Sequence, residues 1–257
     1  YQDGVKRNAR MTFDHKPLLM ASHYYKPSEG AEWATSLFYT FGRDGSSGLN
    51  WFDAKDPRAD YYRYLPSYYE DSDPALFAQR QQAWRTDENA RQIDWDQLYF
   101  ANGKNLYSVE NANGVIGNTV TGNRSKYIVE EQRADPNRIG LNSVYNKQLD
   151  DSRHVTYGGS FNLQRTHYFN TVSDLLGGDF WVDIDQFADR DFNDTLISQN
   201  DLDRPNKIVE VGDVFGWDYF MNTRLVSVFG QFEKKWQNLE GYVGASVSQT
   251  AFWRDGN

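Results

Sequence analysis

Apolar and polar residues alternate from Arg153 to Tyr168, a far longer run than an ordinary strand provides. One side of the run carries apolar residues and glycine, namely Val155, Tyr157, Gly159, Phe161 and Leu163. Period-two alternation predicts a strand whose two faces meet different environments. Strands of soluble proteins usually run about five or six residues, whereas a strand that crosses a membrane needs about ten. The run therefore favours a strand of the membrane-spanning length.

The same alternation returns in five other stretches, and together they predict three hairpins. The predicted strands cover residues 15–25, 32–42, 139–149, 153–170 and 223–236, with a last strand that ends near Trp253. Short turns at 26–30, 150–152 and 237–238 close the hairpins, and long connections at 43–138 and 171–222 join them. Short turns alternating with long loops are typical of up-and-down membrane barrels.

We therefore predict an all-β fold, specifically part of an antiparallel up-and-down transmembrane β-barrel. The smallest membrane barrels use about eight strands, so the six predicted here do not close one. Free strand edges are unfavourable in lipid and in water, because their N–H and C=O groups need partners. We expect the chain to be an internal section, residues 1–257 of a larger barrel. The long loops are expected to contain short helices, one from Asp73 to about Trp84 and one after Thr86.

Composition removes several classes of function. No stretch approaches the ~20 apolar residues of a transmembrane helix, and the mean hydropathy is -0.78. A net charge of -9 argues against a nucleic-acid partner, which needs a basic face. The sequence has no cysteine, which excludes disulfides and thiolate chemistry. No nucleophile motif or dinucleotide fingerprint is present. We therefore predict that the protein is not an enzyme, and we assign it no catalytic residue.

Four segments resemble TonB-dependent outer-membrane receptors of the Bacteroidetes type. They are residues 36–43, 50–68, 178–185 and the hairpin at 223–253. The resemblance implies a barrel of about 22 strands with a plug, located in the cell outer membrane, that imports a nutrient solute. It also implies as partners outer-membrane lipid, the remaining barrel and plug of the same receptor, TonB through the parent protein, and a surface lipoprotein. The plug and the other strands are expected outside this chain.

Aromatic residues in the two long loops are the predicted solute-binding residues. They are Trp51, Tyr61, Tyr62, Tyr64, Tyr68 and Trp181. Aromatic rings stack on apolar or sugar faces, and tyrosine adds a hydroxyl group. The alternative is that these rings pack the loop against itself. We expect no cofactor; Asp183 and Asp185 would be the ligands of a Ca²⁺ ion if the acidic second loop held one, although no EF-hand pattern is present.

A second function remains open on the sequence alone, namely a soluble, secreted carbohydrate-binding or carbohydrate-degrading β-protein. Aromatic and acidic loops on a sheet would fit it equally. The two hypotheses differ at the apolar face of the hairpin at 223–253. A soluble sandwich must cover that face with a second sheet, whereas a barrel exposes it to lipid.

Overall fold

The computed structural model describes residues 7–192 and 196–256. Strands, mostly antiparallel, make up 55% of the chain and helices 17%, which confirms the all-β part of the prediction. The strands are β1 (Thr12–His15), β2 (Leu18–Tyr25), β3 (Ala31–Phe41), β4 (Arg43–Trp51), β5 (Leu106–Glu110), β6 (Thr119–Asn123), β7 (Tyr127–Asp150), β8 (Arg153–Asp174), β9 (Trp181–Val182), β10 (Ile208–Val209), β11 (Val214–Lys235) and β12 (Glu240–Gly256). The α-helices are α1 (Pro74–Thr86), α2 (Trp95–Gly103) and α3 (Gln186–Asp191). Within these residues, no helix is both long and apolar enough to cross a bilayer.

Eight of the strands form one sheet. Its order is β1-β4-β7-β8-β11-β12, and β3 pairs with β7 on one side and with β2 on the other. The hairpins β2–β3, β7–β8 and β11–β12 are the three that the sequence predicts. Among the described strands, none pairs with the outer edges of β2 and β12, so the sheet is open.

A backbone break at Gly42 marks the end of the predicted strand at 32–42 and the start of β4, which was not predicted. Gly42 separates β3 from β4 and has φ +151, a conformation that residues with a side chain rarely adopt. A Cβ atom at this position would lie 1.9 Å from the carbonyl oxygen of His15, at the end of β1. The break between β1 and β2 falls at Pro17, which lacks the N–H that a ladder requires. Two long strands are therefore each interrupted once.

Several predicted boundaries are wrong. β7 begins at Tyr127 and not near Ile139. The prediction missed this start because residues 127–130 are all buried and so show no period-two alternation. β8 continues past Asn170 to Asp174, and residues 170–172 are likewise buried. β11 begins at Val214, well before Thr223. The glycine-rich stretch after Gly42 is strand β4 and not a loop.

The helices agree with the prediction in part. α1 begins where predicted: the Asp73 carboxylate accepts a hydrogen bond from the Leu76 N–H at 3.0 Å. The second helix does not follow Thr86 directly. A short 3₁₀ turn at Asn89–Arg91 comes first, and α2 starts at Trp95 with Asp94 as its N-cap. At both helix starts, the aspartate side chain accepts a hydrogen bond from the backbone N–H three residues later.

The structure divides into two compact units. The first comprises Ser46–Gln132 and Asn170–Trp217 together with the residues up to Met11. It contains three clusters of buried apolar side chains, centred on Trp95 in α2, on Trp181 in β9 and on Phe180. The second unit comprises Thr12–Gly45, Arg133–Phe169 and Asp218–Asn257, and it holds the three hairpins.

The sheet of the second unit has two contrasting faces. Side chains on one face are apolar and exposed, including Leu19, Trp33, Leu37, Phe41, Ile139, Leu141, Tyr157, Phe161, Leu163, Val226, Val228, Phe232, Val243 and Val247. The other face carries polar pairs between neighbouring strands, such as Ser22–Ser36 at 2.8 Å and Ser160–Ser227 at 2.7 Å. The sheet therefore has one exposed face that is mainly apolar.

Candidate functional site

An open cleft of about 970 Å³ lies in the first unit. Its lining includes the end of β4, strand β5, the segment between β6 and β7, and the region around α3. Its aromatic and charged lining residues include Trp51, Phe52, Asp53, Tyr107, Glu110, Arg124, Lys126, Asp189 and Arg190. A cleft of this volume is large enough for a small organic solute.

Arg124 is the most constrained charged residue of the cleft. Its backbone N–H donates to the Asn105 carbonyl at 3.0 Å, and its own carbonyl accepts from the Asn105 side-chain amide at 2.8 Å. Its guanidinium carbon lies 4.2 Å from the ring centre of Phe52 and 5.2 Å from that of Tyr107. Cation–π contacts on two rings hold the side chain in place.

The guanidinium of Arg124 has unused donors. The residue is only 7% exposed, and within the described part of the chain its Nε and Nη2 atoms are buried with no hydrogen-bond partner. Burial lowers the pKa of Arg124 below its ordinary value, while Tyr107 and Asp189 act in the opposite direction. Arginine nevertheless stays protonated at neutral pH. The cleft thus has in its wall a buried positive charge with two donors that lack an acceptor.

The charged side chains that line the cleft are equal in number for the two signs. Three acidic side chains and three basic side chains line it: Asp53, Glu110 and Asp189, and Arg124, Lys126 and Arg190. Lys126 Nζ lies 3.9 Å from an Asp53 carboxylate oxygen, and Arg190 Nε lies 2.6 Å from the Asp191 carboxylate. Among these bases, Arg124 differs from Lys126 and Arg190 in having no ion pair within the described residues.

A second cavity of about 390 Å³ also lies in the first unit. Tyr64 and Tyr127 line it, and their hydroxyl groups donate to the carbonyls of Asp56 and Lys55. Burial would raise the pKa of Asp56, but hydrogen bonds from Arg58 prevail and lower it. These groups have partners within the protein, so this cavity offers fewer free donors than the cleft.

The predicted tyrosines form one edge-to-face chain. The ring centres of Tyr61 and Tyr62 are 4.7 Å apart, those of Tyr61 and Tyr64 are 5.2 Å apart, and those of Tyr62 and Tyr68 are 5.5 Å apart. Arg63 donates to the Tyr62 hydroxyl at 2.8 Å and lowers the pKa of that tyrosine. These contacts match the alternative in which the rings pack the loop on itself. Solute contact by Tyr61, Tyr62, Tyr64 and Tyr68 stays a prediction.

The two predicted tryptophans lie in different surroundings. Trp51 lines the 970 Å³ cleft, and its ring contacts the Arg58 guanidinium, whose carbon lies 5.2 Å away. Trp181 is 4% exposed and packs edge-on between the rings of Phe52 and Phe215. The structure therefore places Trp51 at the candidate site and Trp181 in the core beside it, where it supports Phe52.

The carboxylates proposed for Ca²⁺ already have protein partners. Asp183 accepts from the Asn200 amide at 2.8 Å and from the Gly216 N–H at 2.9 Å. Asp185 caps α3 by accepting from the N–H groups of Phe187 and Ala188. In the part of the chain that the structure describes, no group of three or more histidine or acidic side chains is placed to hold a metal ion. A Ca²⁺ site at these residues is not supported by their geometry.

Sequence reasoning missed Arg124, Phe52 and Tyr107. Arg124 lies in a polar run that has the composition of a loop, and its burial arises from Asn105 and Phe180, which are distant in sequence. No local pattern reports such a contact. Only the clustering of aromatic residues around Trp51 pointed to this region.

Comparison with known proteins gives no match to this chain: no family model, curated protein or solved structure matches it.

Proposed function

We propose that this chain is a section of the wall and loops of a TonB-dependent outer-membrane receptor that imports a nutrient solute. The observation that carries the proposal is the exposed apolar face of the sheet in the second unit. A sheet with one mainly apolar exposed face and an opposite face that carries polar pairs fits a barrel between lipid and an aqueous lumen. Energy supply by TonB and a lipoprotein partner enter from the family resemblance alone.

The length of the apolar face fits a bilayer. On β8, the outward positions between Arg153 and Arg165 carry no charge. These two arginines are twelve residues apart, which is roughly 40 Å along the strand at about 3.3 Å per residue. A strand tilt of about 40° reduces this to roughly 30 Å across the membrane, the usual thickness of the hydrocarbon core.

Aromatic side chains line the turn end of this face. Trp33 lies opposite both Tyr25 on β2 and Tyr145 on β7, and the ring centres of Tyr145 and Tyr157 are 5.0 Å apart. Tryptophan and tyrosine favour the level of the lipid headgroups, because one end of each ring system is apolar and the other is polar. The row supports a membrane boundary at the hairpin turns.

The soluble carbohydrate-binding alternative is less well supported. It needs a second layer over the apolar face, yet Val228 is 56% exposed and Val243 is 68% exposed. Leaving so many neighbouring apolar side chains in water is unfavourable by about 25 cal/mol per Å². The polar pairs on the opposite face likewise do not form the core of a sandwich.

Import is tested by following a defined mixture of nutrients as it is depleted by cells. Three strains are compared: wild type, a strain lacking the protein that carries this chain, and a strain lacking TonB. We expect at least one solute to disappear from the medium with the wild type and to remain with both deletion strains. Identical depletion by all three strains would contradict import, whereas dependence on the protein but not on TonB would contradict the energy source alone.

A further inference from the structure

We propose that the cleft of the first unit binds an organic anion, whose carboxylate or phosphate group is held by the Nε and Nη2 atoms of Arg124. The inference rests on the proposed function in one respect: the cleft is taken to receive the imported solute. It goes further by naming the chemical class of that solute and the residue that recognises it.

The two free donors of Arg124 form a matched pair. Nε and Nη2 lie on one edge of the planar guanidinium, and their N–H bonds point in parallel toward the two oxygens of a carboxylate or phosphate. Other arginines of this protein use the same edge: Arg58 binds Asp56 through Nε and Nη2, and Arg133 binds Asp135 in the same way. In Arg124 this edge is unoccupied, since both nitrogens are without a hydrogen-bond partner.

Burial makes the empty edge unfavourable unless a partner binds there. A buried charge without a hydrogen-bond partner carries a large desolvation cost, so buried charges are ordinarily paired. Arg124 is held at this place by Phe52, Tyr107 and its own clamped backbone. Both nitrogens are shielded from water, so an entering anion must shift the side chains around them. This arrangement favours a bound anion over a hydrated arginine.

The remaining walls describe the rest of the solute. The rings of Trp51, Phe52 and Tyr107 line the cleft and favour an apolar or aromatic body. Asp53, Glu110 and Asp189 repel additional negative charge, which favours a solute with a single anionic group. The cleft volume of about 970 Å³ lies at the upper end of the range for small-molecule sites, which is roughly 300–1,000 Å³.

The test measures binding of three probes to the purified full-length protein in detergent, by ligand-observed NMR titration. Benzoate carries a carboxylate, phenyl phosphate carries a phosphate, and benzamide is a neutral molecule of the same shape as benzoate. We expect one or both anions to bind and benzamide to bind at least about tenfold more weakly. The stronger of the two anions identifies the group that the site prefers.

Variants assign the binding to Arg124. Arg124→Lys keeps the charge but removes the paired donors, so anion binding should weaken about tenfold or more while the fold is kept. Arg190→Lys is the matched control, because Arg190 lines the same cleft but already pairs with Asp191; it should leave binding unchanged. Asp189→Asn removes a negative charge near Arg124 and should tighten anion binding.

Three results would overturn the inference: equal binding of benzamide and both anions, unchanged anion binding in Arg124→Lys, or equal losses in Arg124→Lys and Arg190→Lys. The anion inference and the import proposal fail separately. Absence of anion binding leaves nutrient depletion by the wild type unaffected as a test of import. If anion binding depends on Arg124 but the strains show no difference in nutrient depletion, the import proposal fails and the anion-binding site stands.

Discussion

At the residue scale, one amide side chain connects three parts of the first unit. The Nδ2 atom of Asn102 donates to the carbonyls of Tyr127, Leu175 and Leu176, at 2.8 to 3.0 Å. Its Oδ1 atom accepts from the N–H groups of Lys126 and Tyr127. Asn102 has 0% exposure, so water does not replace these bonds. This asparagine joins α2 to the start of β7 and to the residues that follow β8, next to the segment that carries Arg124.

We expect Asn102→Ala to destabilise the first unit by roughly 3 kcal/mol or more, because it leaves several buried backbone groups without partners. Hydrogen exchange of the backbone amides at 125–129 should accelerate accordingly. The control is Asn89→Ala, since Asn89 is exposed and lies in the same unit. Equal exchange rates in both variants would contradict the role given to Asn102.

At the element scale, the Gly42 break controls the edge of the sheet. It lets the chain pass from β3 into β4 while the backbone of β1 approaches closely at His15. A side chain at position 42 meets a carbonyl group of the main chain, which cannot move aside as a flexible side chain would. The break is therefore a requirement of the two interrupted strands.

We expect Gly42→Ala to lower the thermal stability of the detergent-solubilised protein markedly, by about 2 kcal/mol or more, because both the contact and the positive φ are unfavourable. Gly48→Ala is the matched control: Gly48 lies in β4, and a Cβ atom there meets nothing within 4 Å. Circular dichroism melting curves compare the two. A Gly42→Ala melting temperature equal to that of Gly48→Ala would show that the break tolerates a side chain.

The element scale also explains which predictions succeeded. Alternation predicted the parts of β3, β7, β8, β11 and β12 whose two faces differ, because period-two patterning records such a difference. It failed at residues 127–130, where both faces are buried, and at β4, where glycine and serine hide the pattern. The cap at Asp73 was predicted because a proline follows it, whereas Asp94 has no such signal among the other acidic positions nearby.

The candidate site was predictable only in small part. Trp51 was predicted as an aromatic residue of the first long loop, and it does line the cleft. Arg124 was not, because its burial and its unused donors depend on Phe52, Tyr107 and Asn105, which converge only in the folded chain. Trp181 shows the reverse case, since a tryptophan in a polar loop segment proved to be a core residue.

At the scale of the whole molecule, the account depends on what covers the apolar face of the sheet. The exposed positions of β11 and β12 lie opposite one another in register, as Val228 and Val247 do, and Phe232 and Val243. Ser246 lies on the other face of the same hairpin, opposite Phe229. The central claim is that lipid contacts the first of these faces and that water contacts the second.

The most direct test places a nitroxide label on each face of the β11–β12 hairpin. The chain has no cysteine, so Val228→Cys, Val243→Cys and Ser246→Cys each introduce one attachment site into it. Any cysteine elsewhere in the full-length protein is replaced by serine beforehand. The full-length protein is reconstituted in phospholipid vesicles, and the label is exposed to oxygen, which concentrates in lipid, and to a water-soluble nickel chelate. The account predicts high oxygen and low nickel accessibility at positions 228 and 243, with nickel accessibility restored at 246. Nickel accessibility at 228 and 243 as high as at 246, or protection of both from either agent, would contradict it.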